Sequence, residues 1–169
     1  MIAGYVVGAK IKAVQGDRGA AVDRLADGMK AAEQLQMPRL AAAINNARVR
    51  LRIEIAPEAA ARLRATRVIP QGNGIATITA ELDENSGIRL LSASDSDNDQ
   101  EQACRRAADL LAGIDQERRP LAALSAQLLL AETLMATGRT DDANAVLPLV
   151  VTRCEELGLS RLIVDAGLG

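Results

Sequence analysis

The chain has 169 residues, 49% of them apolar and 25% charged, with a formal net charge of −2. That is one ordinary domain's worth of chain with enough apolar side chains for a packed core, and the slightly acidic balance excludes a general field for nucleic acid or anionic lipid. Histidine, tryptophan and phenylalanine are absent and Tyr5 is the only aromatic residue, which removes the commonest general base and metal ligand and nearly all base stacking.

The N-terminus, Met1 to Lys10, lacks a basic start followed by a clean apolar run, so no signal peptide is expected. Its composition predicts a first helix over 2–15. Gly16-Asp17 breaks the chain. Val22, Leu25, Met29, Ala32 and Leu35 then recur at helical spacing and predict a second helix over 18–35. Met37-Pro38 opens a third over 38–54, with proline tolerated in the first turn and Leu40, Ile44, Ala47 and Leu51 on one face. Pro57-Glu58 opens a short fourth helix over 57–66.

The stretch from Ile69 to Asp99 fits two readings. Gly74 to Leu82 alternates as a strand does, and Asp83-Glu84-Asn85-Ser86-Gly87 would suit a hairpin loop with Ile88 to Ala93 returning. Alternatively, Ile75, Ile78 and Leu82 share one helical face. We read a helix over 74–91, since an isolated two-stranded hairpin is marginally stable and the repeat described below demands one. Further helices are expected over 98–114, 118–137 and 140–157. Gly138 ends the seventh, and Thr140-Asp141-Asp142 should open the eighth with a threonine cap and two acids at the positive end of the helix dipole. Pro148 falls inside the eighth helix and should kink it.

Self-comparison gives the architecture. Gly16 falls on Gly138, Ala21 on Ala143, Leu25 on Leu147, Glu33 on Glu155, Leu35 on Leu157, Arg39 on Arg161 and Leu40 on Leu162, all 122 apart (138 − 16). Ala21 on Ala103, Ala26 on Ala108 and Pro38 on Pro120 are 82 apart. Both shifts are multiples of roughly 40 residues, the range of helical-hairpin solenoids. The expected fold is therefore all-α: a right-handed solenoid of four helical hairpins filling residues 1–169 as one domain, with Leu25 and Leu147 as equivalent core residues.

Gly16-Asp17 followed by Ala21, Leu25 and Gly28, and Gly138 followed by Ala143 and Leu147, resemble the tetratricopeptide pattern of a turn, a small residue, a large one and a second small one. Val150 replaces the last small residue, the usual aromatics are missing and the units are longer than a tetratricopeptide repeat. Pro120 to Leu147 and the closing Gly158 to Gly167 are similar to the helical-repeat region of MalT-like signal-transduction ATPases, many of which carry a LuxR-type DNA-binding domain. They are equally similar to that region of a large actinobacterial serine/threonine kinase. The resemblance implies a non-catalytic sensor or protein-interaction segment of a larger cytoplasmic regulator, either a transcription regulator or a kinase, with an oligomerisation scaffold as the alternative. It implies partners in a concave groove: a protein or peptide segment, a small effector, or other domains of the parent chain. No direct nucleic acid and no membrane are expected, and a second copy of the chain is a further candidate partner.

Few residues suggest chemistry. There is no Gly-rich phosphate loop followed by Lys and Ser/Thr and no kinase His-Arg-Asp or Asp-Phe-Gly motif, so no catalytic residue, cofactor or metal is expected. Asp95-Ser96-Asp97-Asn98-Asp99-Gln100 imitates the start of a calcium loop, but lacks the sixth-position glycine and has Arg106 where the bidentate acid belongs. It reads as a capping loop. Gln71-Gly72-Asn73-Gly74 reads as a turn. Cys104 and Cys154 lack metal-like spacing and read as buried reduced thiols. Arg48, Arg50 and Arg52, with Arg62, Arg64 and Arg67, are mostly solvated charge, or else a basic surface for an acidic partner. The candidate groove residues are Asn45, Asn46 and Arg48, a polar cluster on an inner helix able to bind backbone or carboxylate.

Overall fold

A computed structural model describes residues 2–67 and 74–159. Eight helices make up the described residues, with no strand among them: α1 (Ile2–Val14), α2 (Arg18–Gln34), α3 (Pro38–Arg50), α4 (Pro57–Ala65), α5 (Ile75–Ser92), α6 (Asp97–Ala112), α7 (Pro120–Ala136) and α8 (Thr140–Glu156). Each falls within a few residues of its expected span, and the ambiguous stretch after Gly74 is helical. Gln71 to Asn73, the end of the closing motif from Ser160 to Gly167, and the matched pairs at Arg161 and Leu162 lie outside the described residues.

Local chemistry sets the boundaries. Prolines stand at the starts of α3, α4 and α7, where the missing N–H costs nothing. Asp17 caps α2 by accepting from the Ala20 amide at 3.0 Å, and Ser96 caps α6 by accepting from the Asp99 amide at 3.4 Å. At the other ends, Gly16, Gln36, Arg52, Gly138 and Gly158 each adopt a positive φ. The residue after each one donates back into the helix: Asp17 to Lys12, Met37 to Ala32, Ile53 to Arg48, Arg139 to Leu134 and Leu159 to Cys154, at 2.7–2.9 Å. Five helices thus close with the same 6→1 bonded turn, which satisfies their last free carbonyls. The turn at Arg52 explains why α3 stops at Arg50 rather than reaching residue 54.

One detail at the start of α8 differs from expectation. Thr140 is not a cap: it is the first residue of α8, and Arg139 before it makes no side-chain capping bond. Arg139 instead pairs with Asp142 at 2.7 Å, and Asp141 and Asp142 both lie in the first turn of α8. Pro148 lies inside α8, which is continuous across it, and the proline leaves the Asn144 carbonyl without its usual donor.

The chain divides into two compact units, one holding 2–67 with 74–90, the other 91–159. In the first, α1 packs on both α2 and α3, and α2 on α3. Its core joins Ala9, Ala21, Leu25, Leu40, Ile44 and Ala47, flanked by Tyr5 and Met29. In the second, α7 packs against both α6 and α8. That double contact explains its Ala/Leu-rich sequence: Ala123, Leu124, Ala126, Leu128, Leu129, Ala131, Thr133 and Leu134 are all buried, more than one stripe can supply. The equivalence of Leu25 and Leu147 fails. Leu25 is 0% exposed, whereas Leu147 only flanks a core whose buried members are Leu124, Leu128, Val150 and Cys154. Val150 stands where the 122-residue register places Gly28, and its side chain takes the buried place.

Candidate functional site

The polar cluster of α3 divides between two surroundings. Asn45 and Asn46 are only 4% and 8% exposed. The Asn46 Nδ2 amide donates to Asn85 Oδ1 at 2.9 Å and Ser86 Oγ at 3.2 Å, with the Leu82 carbonyl at 3.5 Å. Ser86 Oγ in turn donates to Leu82 O at 2.7 Å, and Arg89 Nε to Asn85 Oδ1 at 3.1 Å. Asn46 is thereby committed to α5. A buried amide that lost these acceptors would cost about 1–3 kcal/mol, so the network ties α3 to α5.

Arg48 faces the other way, into an open groove of about 650 Å³ lined by Arg18, Val22, Arg48, Arg52, Ile53, Glu54, Ile55 and Ala56. Of the three candidate groove residues only Arg48 lines it. The groove follows from the turn that ends α3. Ile53 turns inward and is buried, and residues 54 to 56, in no regular element, lead to Pro57. Arg18, the first residue of α2, reaches across the end of α3 and donates to the Leu51 carbonyl at 3.3 Å and the Arg52 carbonyl at 2.5 Å. A cation there matches the negative end of the α3 dipole. Arg48 Nη1 donates to the Glu54 carbonyl at 3.4 Å, while its Nε is buried with no hydrogen-bond partner. A buried N–H without an acceptor is the kind of group an arriving ligand or ion satisfies. Arg52 itself holds φ +52°, a conformation that disfavours a non-glycine residue. Three guanidiniums and one carboxylate, Glu54, therefore share the groove. The groove draws Arg48 and Arg52 from the basic run noted in the sequence. Arg18 could not be found that way: only the approach of α2 to the end of α3 brings it in.

A second, much smaller cleft lies between α4 and α5, lined by Arg62, Leu63, Thr66, Asp83 and Glu84. Asp83 Oδ1 is buried there without a hydrogen-bond partner. Burial pushes the Asp83 carboxyl above the ordinary carboxylate range, and the Arg62 charge only partly offsets this.

The Asp95–Gln100 stretch is not a loop throughout: from Asp97 it is the first turn of α6, tied to the preceding turn by Ser94 Oγ to Asp99 at 2.8 Å and by Gln100 Nε2 to the Ser94 carbonyl at 2.8 Å. Arg106 is buried on α6. No group of acidic, cysteine or histidine side chains among the described residues is placed to hold a metal ion. Cys104 and Cys154 are buried and free; Cys104 Sγ lies 3.6 Å from Thr137 Oγ1, and desolvation raises the Cys154 thiol. Glu33 and Glu155 are both exposed. No described helix is long and apolar enough to cross a membrane.

Comparison with known proteins adds the setting. The chain is similar to a segment of the serine/threonine-protein kinase PknK from two strains of Mycobacterium tuberculosis and from Mycobacterium bovis, at 60% identity over 168 residues in each case. The match covers 99% of this chain and spans 15% of the length of those relatives. No protein-family model matches the chain, and no solved structure matches it.

Proposed function

We propose that the chain is a non-catalytic interaction segment of a larger cytoplasmic signalling protein of the serine/threonine-kinase type, built from tetratricopeptide-like hairpins in the MalT-like manner and wound as a right-handed solenoid. The observation that carries the kinase setting is the 60% identity to a 15% segment of PknK. It favours a kinase parent over a LuxR-type transcription regulator. The repeat reading draws support from two helices: α2 and α8 span 17 residues each, and both ends of one lie 122 positions from those of the other. A non-catalytic role draws support from the all-helical described residues, which contain no counterpart of the strand that carries the kinase lysine. The partner is a protein segment, and the groove around Arg48 is where it binds.

Two measurements test this. The purified chain, given labelled ATP and a generic protein substrate, is expected to transfer no phosphate and release none. Deleting the aligned segment from Mycobacterium tuberculosis PknK is expected to leave phosphorylation of a generic substrate intact while reducing phosphorylation of its cellular targets. Loss of the generic activity, or no loss on the targets, would refute the reading.

A second reading, an oligomerisation scaffold, draws on one observation. Val7, Ile11 and Val14 lie along one face of α1 and are all exposed, Val14 at 78%. An apolar stripe of this kind suits another helix. If it joins two copies, mass measurement in solution gives a dimer, and Val7→Glu with Ile11→Glu returns a monomer.

A further inference from the structure

We propose that the groove at the end of α3 binds a phosphorylated serine or threonine in an extended peptide, with Arg18, Arg48 and Arg52 as the phosphate-binding side chains. The inference deepens the interaction reading above and rests on it for the peptide nature of the partner.

The charge balance points to an anion. Three guanidiniums face one carboxylate, Glu54, across the groove, within a chain whose net charge is −2. The positive charge is therefore local and not a property of the whole surface. The hydrogen-bonding supply points the same way. The contacts of Arg18 and Arg48 in the groove are to backbone carbonyls, which neutralise no charge. The Arg52 side chain makes no hydrogen bond or ion pair among the described residues, and Arg48 Nε is buried without an acceptor. A phosphate monoester carries close to two charges and three acceptor oxygens, and the planar guanidinium fork matches that geometry.

The size and lining point to a peptide. A volume of about 650 Å³ is far more than one phosphate occupies and lies in the range of ligand clefts. Beside the arginines the walls are Val22, Ile53, Ile55 and Ala56, which offer apolar contact to the residues flanking the phosphate. A nucleotide would want an aromatic platform, and none lines the groove.

The test is fluorescence anisotropy with the full 169-residue chain and three labelled, otherwise degenerate peptide pools that differ only at a central residue: phosphoserine, serine or glutamate. The phosphoserine pool is expected to bind at least roughly tenfold tighter than the serine pool, and to weaken as salt rises from about 50 to 200 mM. Arg48→Gln and Arg52→Gln are each expected to remove most of that preference with the circular dichroism spectrum unchanged. Should Arg48→Gln unfold the chain, Arg52→Gln alone decides, because its side chain sits on an exposed turn. Equal binding of the phosphoserine and serine pools overturns the proposal, as does full phosphoserine preference in folded Arg52→Gln. A glutamate pool that binds as well as phosphoserine overturns the phosphate assignment in favour of an acidic peptide. Inorganic phosphate that competes at the peptide's own concentration overturns the peptide assignment. Binding of the serine pool at a surface insensitive to these arginines sinks this inference while leaving the interaction reading intact; that reading fails separately, in the deletion experiment.

Discussion

Gly28 and Ile44 meet where α2 crosses α3, so closely that a Cβ built on Gly28 would stand 2.5 Å from Ile44 Cδ1, with Tyr5 Cγ at 2.9 Å on the other side. Here the glycine serves close approach and not turning, since it lies mid-helix. In open helix the change Gly28→Ala would stabilise by about 1 kcal/mol through propensity. Ile44 is fully buried in the surrounding core and Tyr5 is partly buried against it, and the contact to Tyr5 is with the root of its ring and not a free end. Overpacking is therefore expected to win, with a net loss of about 1–3 kcal/mol. Urea titration of Gly28→Ala against wild type measures it, and a gain in stability would show that the crossing is looser than the structure has it.

Leu25 and Leu147 separate cleanly by mutation, although the 122-residue register pairs them. Leu25 is completely buried among Ala9, Ala21, Leu40 and Ile44, so Leu25→Ala is expected to cost about 2–5 kcal/mol. Leu147 lies at the edge of its core, and Leu147→Ala is expected to cost about 1 kcal/mol or less. Val150→Ala, which empties a closed site, should cost about 2 kcal/mol. Equal losses at Leu25 and Leu147 would restore the simple register.

The contrast shows what the sequence could and could not say. Helix positions were legible because breakers and starters are local: Gly16, Gly138, Pro38, Pro57 and Pro120 act on their own few residues. Ala21, Ala103 and Ala143, which the two shifts match with one another, are all buried. The register could not tell that Val150, in the place of Gly28, would fill space with its own side chain and leave Leu147 at the rim. Asn46 misled for a related reason. A polar side chain on a helix reads as facing water or a ligand, and only the tertiary placement of Asn85 and Ser86 makes it an interior contact. The Arg18 contribution to the groove depends on two segments more than thirty residues apart, and no spacing rule reaches that far.

Arg52 offers a test of whether its backbone strain serves the groove. Three of the five helix-ending residues at positive φ are glycine, for which the conformation is free. At Arg52 it costs roughly 1 kcal/mol. Arg52→Gly is therefore expected to raise the melting temperature slightly, keep the Arg18 bond to the backbone carbonyl at 52, and lower affinity for the phosphoserine pool. A destabilised Arg52→Gly would mean that the side chain holds the turn through packing and not that the turn tolerates it.

Asp83 should make the first unit less stable as pH rises through the range just above the ordinary carboxylate value. Its Oδ1 is buried without a partner, so desolvation favours the neutral acid, and Arg62 opposes this without cancelling it. Glu84 and Thr66 share the cleft. The sign follows from proton counting. With its folded pKa raised above the ordinary value of 3.8, Asp83 holds more proton in the folded than in the unfolded chain across the interval between the two pKa values. Its contribution is fully present below the unfolded pKa and is lost as pH rises through the folded one. Asp83→Asn cannot ionise and should lack this loss. The melting temperature of the variant minus that of wild type is therefore expected to be larger at pH about 7 than at pH about 4. Thermal melts of both proteins across that range read it directly. A difference that stays constant with pH would mean that the Asp83 carboxylate is solvated after all and that the cleft between α4 and α5 is open to water.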